Sequence, residues 1–278
     1  MTYLELPMND QDSPKTTDLP ARAEEGLEIT TRDDQDSFAS FLDAAKTSRR
    51  KGGRLRLIDT GRFSVFELEW LAEAGADIYT SDAARPKREE LGLLAKAGAK
   101  GNAVIAYFHH GELTGDAADV PSSWTFLKEI GRSGIDLHLS NREKVRDFVE
   151  LAGLAEVCRK DGTRVVYYHH GPFEPGLGVL ACQGGWIHLS VESLDEEAGT
   201  ALLEETARAA SAAGSGVVIH LERGLPVDML RNLLRSGAFL IFKTPPEDRR
   251  SRIRAAEERA RKKKLDRRSY FLQTTFLP

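Results

Sequence analysis

The sequence predicts an α/β fold, a (β/α)8 TIM-type barrel preceded by one helix and by a disordered acidic tail. Three observations predict it. Eight short β-like runs are separated throughout by helical patterns. An apolar spacing at i, i+3, i+7, closing on a small residue, comes before most of those runs. All seven histidines stand where such a run is ending. Strict alternation of strand and helix implies parallel strands with right-handed crossovers, and eight such units match a barrel.

Residues 1–35 hold Pro7, Pro14 and Pro20 among many acids, with no apolar periodicity, and are expected to be disordered. The barrel domain is expected to fill 36–278. It begins with a helix from Ser37 to Arg50, capped by Asp36 or Ser37 and apolar along Phe38, Phe41, Leu42 and Ala45, placed to plug the barrel bottom. The strands follow at 54–60, 77–82, 103–109, 135–140, 164–170, 186–191, 217–222 and 239–244.

Between them the helical signature recurs as Leu68/Leu71/Gly75, Leu91/Leu94/Gly98, Leu127/Ile130/Gly134, Leu177/Leu180/Gly184 and Leu230/Leu233/Gly237, with a weaker copy at Ala207/Ala210/Gly214. Two apolar positions make a buried stripe, and glycine suits the left-handed residue that ends a helix. An open doubly wound sheet would usually carry a glycine fingerprint after its first strand, and Asp59-Thr60-Gly61-Arg62 is not one. After the last strand, Pro245-Pro246 stops the run. Residues 247–268 read as a strongly basic helix, and the apolar 270–277 as a segment that packs.

The chemistry is expected at the C-terminal ends of the strands, the face where barrels react. Residues two apart share a strand face. With Leu137/Leu139, Ile187/Leu189 and Ile219/Leu221 turned to the helices, His138, Ser140, His188, Ser190, Glu192, His220 and Glu222 turn inward. The near copies Tyr107-Phe108-His109-His110-Gly111 and Tyr167-Tyr168-His169-His170-Gly171 each supply one more inward histidine, and the sequence does not choose which. His109, His169, Asp59, Asp82 and Glu222 are the expected acid–base groups. His188, His220 and Glu222 are the expected ligands of a divalent metal such as Zn, Mn or Fe. Arg62, Arg85, Asn141, Arg223 and Lys243 are the expected substrate contacts.

Other classes are excluded by what the chain lacks. The His-x-His that barrel metallohydrolases of the amidohydrolase and PHP types carry on their first strand has no counterpart in Leu57-Ile58-Asp59. HExxH, GxSxG and a P-loop are absent. Cys158 and Cys182 make neither a disulfide framework nor a CxxC site, and no apolar run is long enough to span a bilayer. A cytoplasmic enzyme is therefore expected, a hydrolase or lyase acting on a small polar or anionic molecule. The alternative is a non-catalytic barrel that holds RNA or a protein partner through the basic stretch 249–268.

Overall fold

Among the described residues nine strands alternate with nine helices, and every strand pairing described is parallel. The structure is a computed structural model and describes residues 19–111, 113, 123–142, 144–190, 193, 197–221 and 225–242. This is the α/β architecture of the (β/α)8 barrel class, with one strand more than eight. Its elements are α1 (Leu19–Glu24), β1 (Glu28–Arg32), α2 (Phe38–Lys51), β2 (Arg54–Ile58), α3 (Val65–Ala74), β3 (Asp77–Ser81), α4 (Arg88–Gly101) and β4 (Ile105–His109). Next come α5 (Trp124–Arg132), β5 (Asp136–Ser140), α6 (Phe148–Lys160), β6 (Val165–His169), α7 (Gly176–Cys182) and β7 (Trp186–Ser190). The chain closes with α8 (Glu197–Ala212), β8 (Val217–Leu221), α9 (Val227–Arg235) and β9 (Phe239–Phe242).

The added strand lies inside the stretch expected to be disordered. α1 and β1 fall within 19–32, while residues 1–18 lie outside the described residues. β1 escapes a periodicity reading because it is polar: of Glu28-Ile29-Thr30-Thr31-Arg32 only Ile29 is buried. Strand pairing with β2 and an ion pair of 2.9 Å from Arg56 to Glu28 hold it instead. α2 is consequently a crossover between two strands and not a plug. Its Ser37 cap is as expected, with the side chain accepting from Ser40 N.

Contacts divide the chain into two compact bodies. The first holds β1 to β4 and β5 as far as Leu139, paired in the order of the sequence. One face of its strands meets helices, as Tyr107 does with Phe126 of α5. The other gathers Tyr79, Phe108 and His138. At the N-terminal ends of β2 and β3, Arg54 and Asp77 pair at 3.0 Å, both buried. The second body holds 140–156 and β6 to β9, again in sequence order. There Phe148 of α6 packs on Tyr167, and Tyr168, His188 and His220 share the opposite face.

A residue with positive φ stands two or three positions before every strand: Gly26, Gly52, Gly75, Asn102, Gly134, Gly162, Gly184, Gly214 and Gly237. The helical signature thus gives the right ending except at Gly98. That residue lies inside α4, where an added Cβ would meet Ile105 Cγ1 at 2.6 Å, and Asn102 takes the left-handed turn. Gly98 is there for close packing. The basic stretch 247–268 and the apolar 270–277 lie outside the described residues.

Candidate active site

The two histidine doublets end β4 and β6, and in each the first histidine is the last strand residue. Alternation puts His109 with Tyr107, and His169 with Tyr167, on the side that meets the helices. Both rings are buried. The polar groups around them differ.

His109 Nδ1 stands 3.2 Å from Asp82 Oδ2, just past the end of β3. A lone pair facing a carboxylate at that distance would be repelled, which favours a proton on Nδ1 and a lone pair on Nε2 in the neutral ring. The same Asp82 oxygen accepts from His110 N and Gly111 N at 2.9 and 3.0 Å, which fixes the carboxylate. Tyr107 stacks beside the ring, its hydroxyl pKa raised first by burial and then by Asp82.

His169 is set the other way. Its Nε2 lies 2.6 Å from Pro172 O, and a carbonyl only accepts, so Nε2 carries the proton. Nδ1 then presents its lone pair to Asn141 Nδ2, 3.4 Å away. The Asn141 amide is oriented by two stronger bonds, from His170 N to Oδ1 at 2.7 Å and from Nδ2 to His170 O at 2.9 Å. Glu174, half exposed, stands 3.9 Å from Nε2. Both nitrogens of His169 are thus engaged by neighbouring groups of the chain. This argues against the acid–base role expected of His169 and against Asn141 as a substrate contact.

In the second body His188 Nδ1 and His220 Nε2 lie 2.9 Å apart, both rings buried and His188 also against Tyr168. One nitrogen donates and the other accepts, so the pair shares a proton. Zinc–nitrogen bonds of about 2.0–2.1 Å in a tetrahedron put two ligand atoms about 3.3 Å apart, only slightly wider than this contact. No cluster of three His, Cys, Asp or Glu side chains able to hold a metal occurs among the described residues. Glu222, the expected third ligand, lies outside them, as do Glu192, Arg223 and Lys243. His138 is fully enclosed, 4.4 Å from Phe108 between ring centres, and burial pushes its pKa down to about 3.

Asp59 and Arg85, expected as a base and a substrate contact, are joined to each other. Arg85 Nε and Nη2 donate to the two Asp59 oxygens at 2.9 and 3.1 Å, Thr80 Oγ1 donates at 2.7 Å, and Arg85 also donates to Phe63 O. Burial would lower the Arg85 pKa, but Asp59 and Glu90 outweigh it and raise it. A carboxylate so fully engaged is structural. Arg62 is exposed, with Nη1 donating to Asp33 O and Asp36 O. Sequence reasoning passed over Asp33, fully buried and accepting from Thr60 N, Thr60 Oγ1 and Arg62 N. The available signal was that Asp33, like Asp82 and Asn141, directly follows a strand.

No family model matches the chain, and no curated protein matches it. Among solved structures it resembles citrate synthase SbnG, at 11% identity over 88% of this chain and 97% of that one, with a TM-score of 0.35. Deoxyribose phosphate aldolase from Aeropyrum pernix follows at 12% identity, 82% and 91% coverage and a TM-score of 0.34. The HpcH/HpaI aldolase from Desulfitobacterium hafniense DCB-2 shows 13% identity, 89% and 97% coverage and a TM-score of 0.33. Likenesses this distant carry no argument about chemistry. No helix among the described residues is long and apolar enough to cross a membrane.

Proposed function

We propose that this chain is an enzyme of the lyase or hydrolase type that removes a proton from a small polar or anionic substrate. The observation that carries the reading is the Asp82 carboxylate 3.2 Å from Nδ1 of the buried His109 ring, where β4 ends. Parallel β/α folds do their chemistry at that end of the strands. His109 is the general base through Nε2. Asp82 holds the tautomer and favours the imidazolium that forms, the division of labour familiar from His–Asp pairs. Arg62, exposed in the same body, is the proposed contact for an anionic group.

The test is hydrogen exchange. Small carboxylates, 2-oxo acids and sugar phosphates are incubated with the protein in deuterium oxide, and proton NMR follows deuterium entering the carbon next to the carbonyl. Exchange that His109→Gln abolishes is the expected result. A folded protein that exchanges none of them would overturn the reading and favour a non-catalytic binding module.

A second reading rests on the 2.9 Å contact between His188 and His220. With Glu222 they are proposed to hold a divalent cation that supplies Lewis-acid chemistry. Elemental analysis of untagged protein would find the metal in the wild type and not in His220→Ala.

A further inference from the structure

We propose that Ser190 is a nucleophile, with His220 as its base and His188 supporting His220, in a second catalytic centre that hydrolyses small esters. This goes beyond the proton abstraction assigned to His109. The three residues belong to the second body, whereas His109 and Asp82 belong to the first. The centre uses the pair His188 and His220 with a shared proton between the rings, not a cation.

Strand pairing brings the residues together. β7 and β8 run parallel with Ser190 level with His220, and His188 stands two residues back along β7. Level residues on neighbouring strands share a face, as do residues two apart on one strand. Ser190, His188 and His220 therefore project from one face, on strands about 4.8 Å apart. Ser190 is the last residue of β7, at the strand end where parallel β/α folds react.

Ser190 Oγ stands out among similar groups. β3, β5 and β7 all end in serine, at Ser81, Ser140 and Ser190. Ser81 Oγ accepts from Ala84 N and Ser140 Oγ from Arg142 N, so each secures the loop that follows. Ser190 Oγ is buried and makes no hydrogen bond among the described residues, although the residue as a whole is only part-buried. An unpaired buried hydroxyl costs about 1–3 kcal/mol, so its presence calls for a partner that arrives later. Rotation about χ1 alone carries Oγ between its staggered positions, toward the His220 face or toward a ligand.

The histidine pair has the matching proton count. Two neutral rings hold two protons on four nitrogens. The 2.9 Å contact of His188 Nδ1 with His220 Nε2 uses one proton and one lone pair. His220 Nδ1 and His188 Nε2 then hold one lone pair and one proton between them. With the lone pair on His220 Nδ1, that ring takes the Ser190 proton and passes its Nε2 proton to His188 Nδ1. The positive charge is spread over two rings, a support that aspartate gives in Ser–His–Asp sites. In the reaction Ser190 Oγ bonds to the acyl carbon and its proton goes to the pair. The bond to the alcohol oxygen breaks as the pair protonates that oxygen. Water then attacks the acyl carbon and gives a proton to the pair, and Ser190 Oγ leaves with that proton as the acid is released.

The probe is a dialkyl fluorophosphate, which phosphorylates an activated serine with loss of fluoride. Intact mass and peptide mapping of the full chain read the adduct. One adduct, on Ser190, is expected in the wild type and none in Ser190→Ala. His220→Gln should slow labelling by about 10²–10⁴, the worth of a positioned base. His188→Gln, whose amide oxygen accepts from His220 Nε2, should keep more of the rate than His188→Phe. That rescue separates a positioning role from simple packing, and it decides the matter if His220→Gln fails to melt cooperatively. A folded wild type left unlabelled at Ser190 would overturn the proposal. So would equal rates in the two His188 variants, or labelling that a folded His220→Gln does not slow. Labelling that requires added zinc and vanishes with EDTA would overturn it in favour of the cation reading.

Discussion

The ends of β4 and β6 use nearly the same five residues, and the molecule sets different groups against their histidines. At β4 a carboxylate faces Nδ1 of His109, and at β6 an amide faces Nδ1 of His169. A histidine at a strand end is thus not informative by itself, because its chemistry belongs to the next side chain over. The comparison also ranks the two rings. His169 has a short bond to Pro172 O to lose, whereas His109 has a proton to give and take.

Removing each ring in turn is the strongest way to break that ranking. His109→Gln is expected to slow substrate exchange by about 10²–10⁴, the usual worth of a positioned base, with little change in melting. His169→Gln is expected to leave the rate alone and destabilise by about 0.5–1.5 kcal/mol, as the ring's bond to Pro172 O is lost. Chemical denaturation and exchange rates on the same preparations decide it, and a reversed pattern would exchange the two roles.

The comparison extends to Asp59, which directly follows β2 and binds Arg85. Asp59→Ala leaves a buried guanidinium without its carboxylate, expected to cost about 3–5 kcal/mol in urea denaturation. A loss below about 1 kcal/mol would mean that this pair is not structural.

His138 supplies a contrast in pH. Its native pKa of about 3 lies below the ordinary histidine value of 6.5, so the unfolded chain takes up the proton first. Its contribution is therefore complete above pH 6.5 and is lost as pH falls toward 3, on the order of 5 kcal/mol over the whole range. His138→Phe should flatten that part of the stability–pH curve. An unchanged slope would show that acids elsewhere produce it.

The smallest effect is expected at His188 and His220, which stand on β7 and β8 where Tyr79 and Phe108, a ring pair 6.3 Å apart, stand on β3 and β4. The double change His188→Tyr, His220→Phe should cost less than about 1.5 kcal/mol and abolish any metal uptake. A larger penalty would mean that the shared proton stabilises the fold.

Much of this architecture is legible in the sequence, because the strands after β1 each carry buried apolar residues and their helices a buried stripe such as Leu68 and Leu71. β1 is not, since pairing and Arg56 stabilise it more than side-chain burial does. The site is legible as a location and less so as a set of roles. Period-two reasoning put His188 and His220 together on one strand face, and the structure agrees. It could not show that Asp59 and Arg85 neutralise each other, because their contact depends on how the chain turns after β3. Nor could it separate His109 from His169, because Asp82 and Asn141 each lie far in sequence from the histidine they face.

The left-handed residue before every strand has a consequence for how such a chain can change length. Each helix ends at its own punctuation mark, so a strand's entry geometry is set locally and owes little to the strand before it. A whole strand–helix module can then be added or lost without retuning its neighbours, much as a link is added to a chain. β9, entered through Gly237 after α9, is such a link.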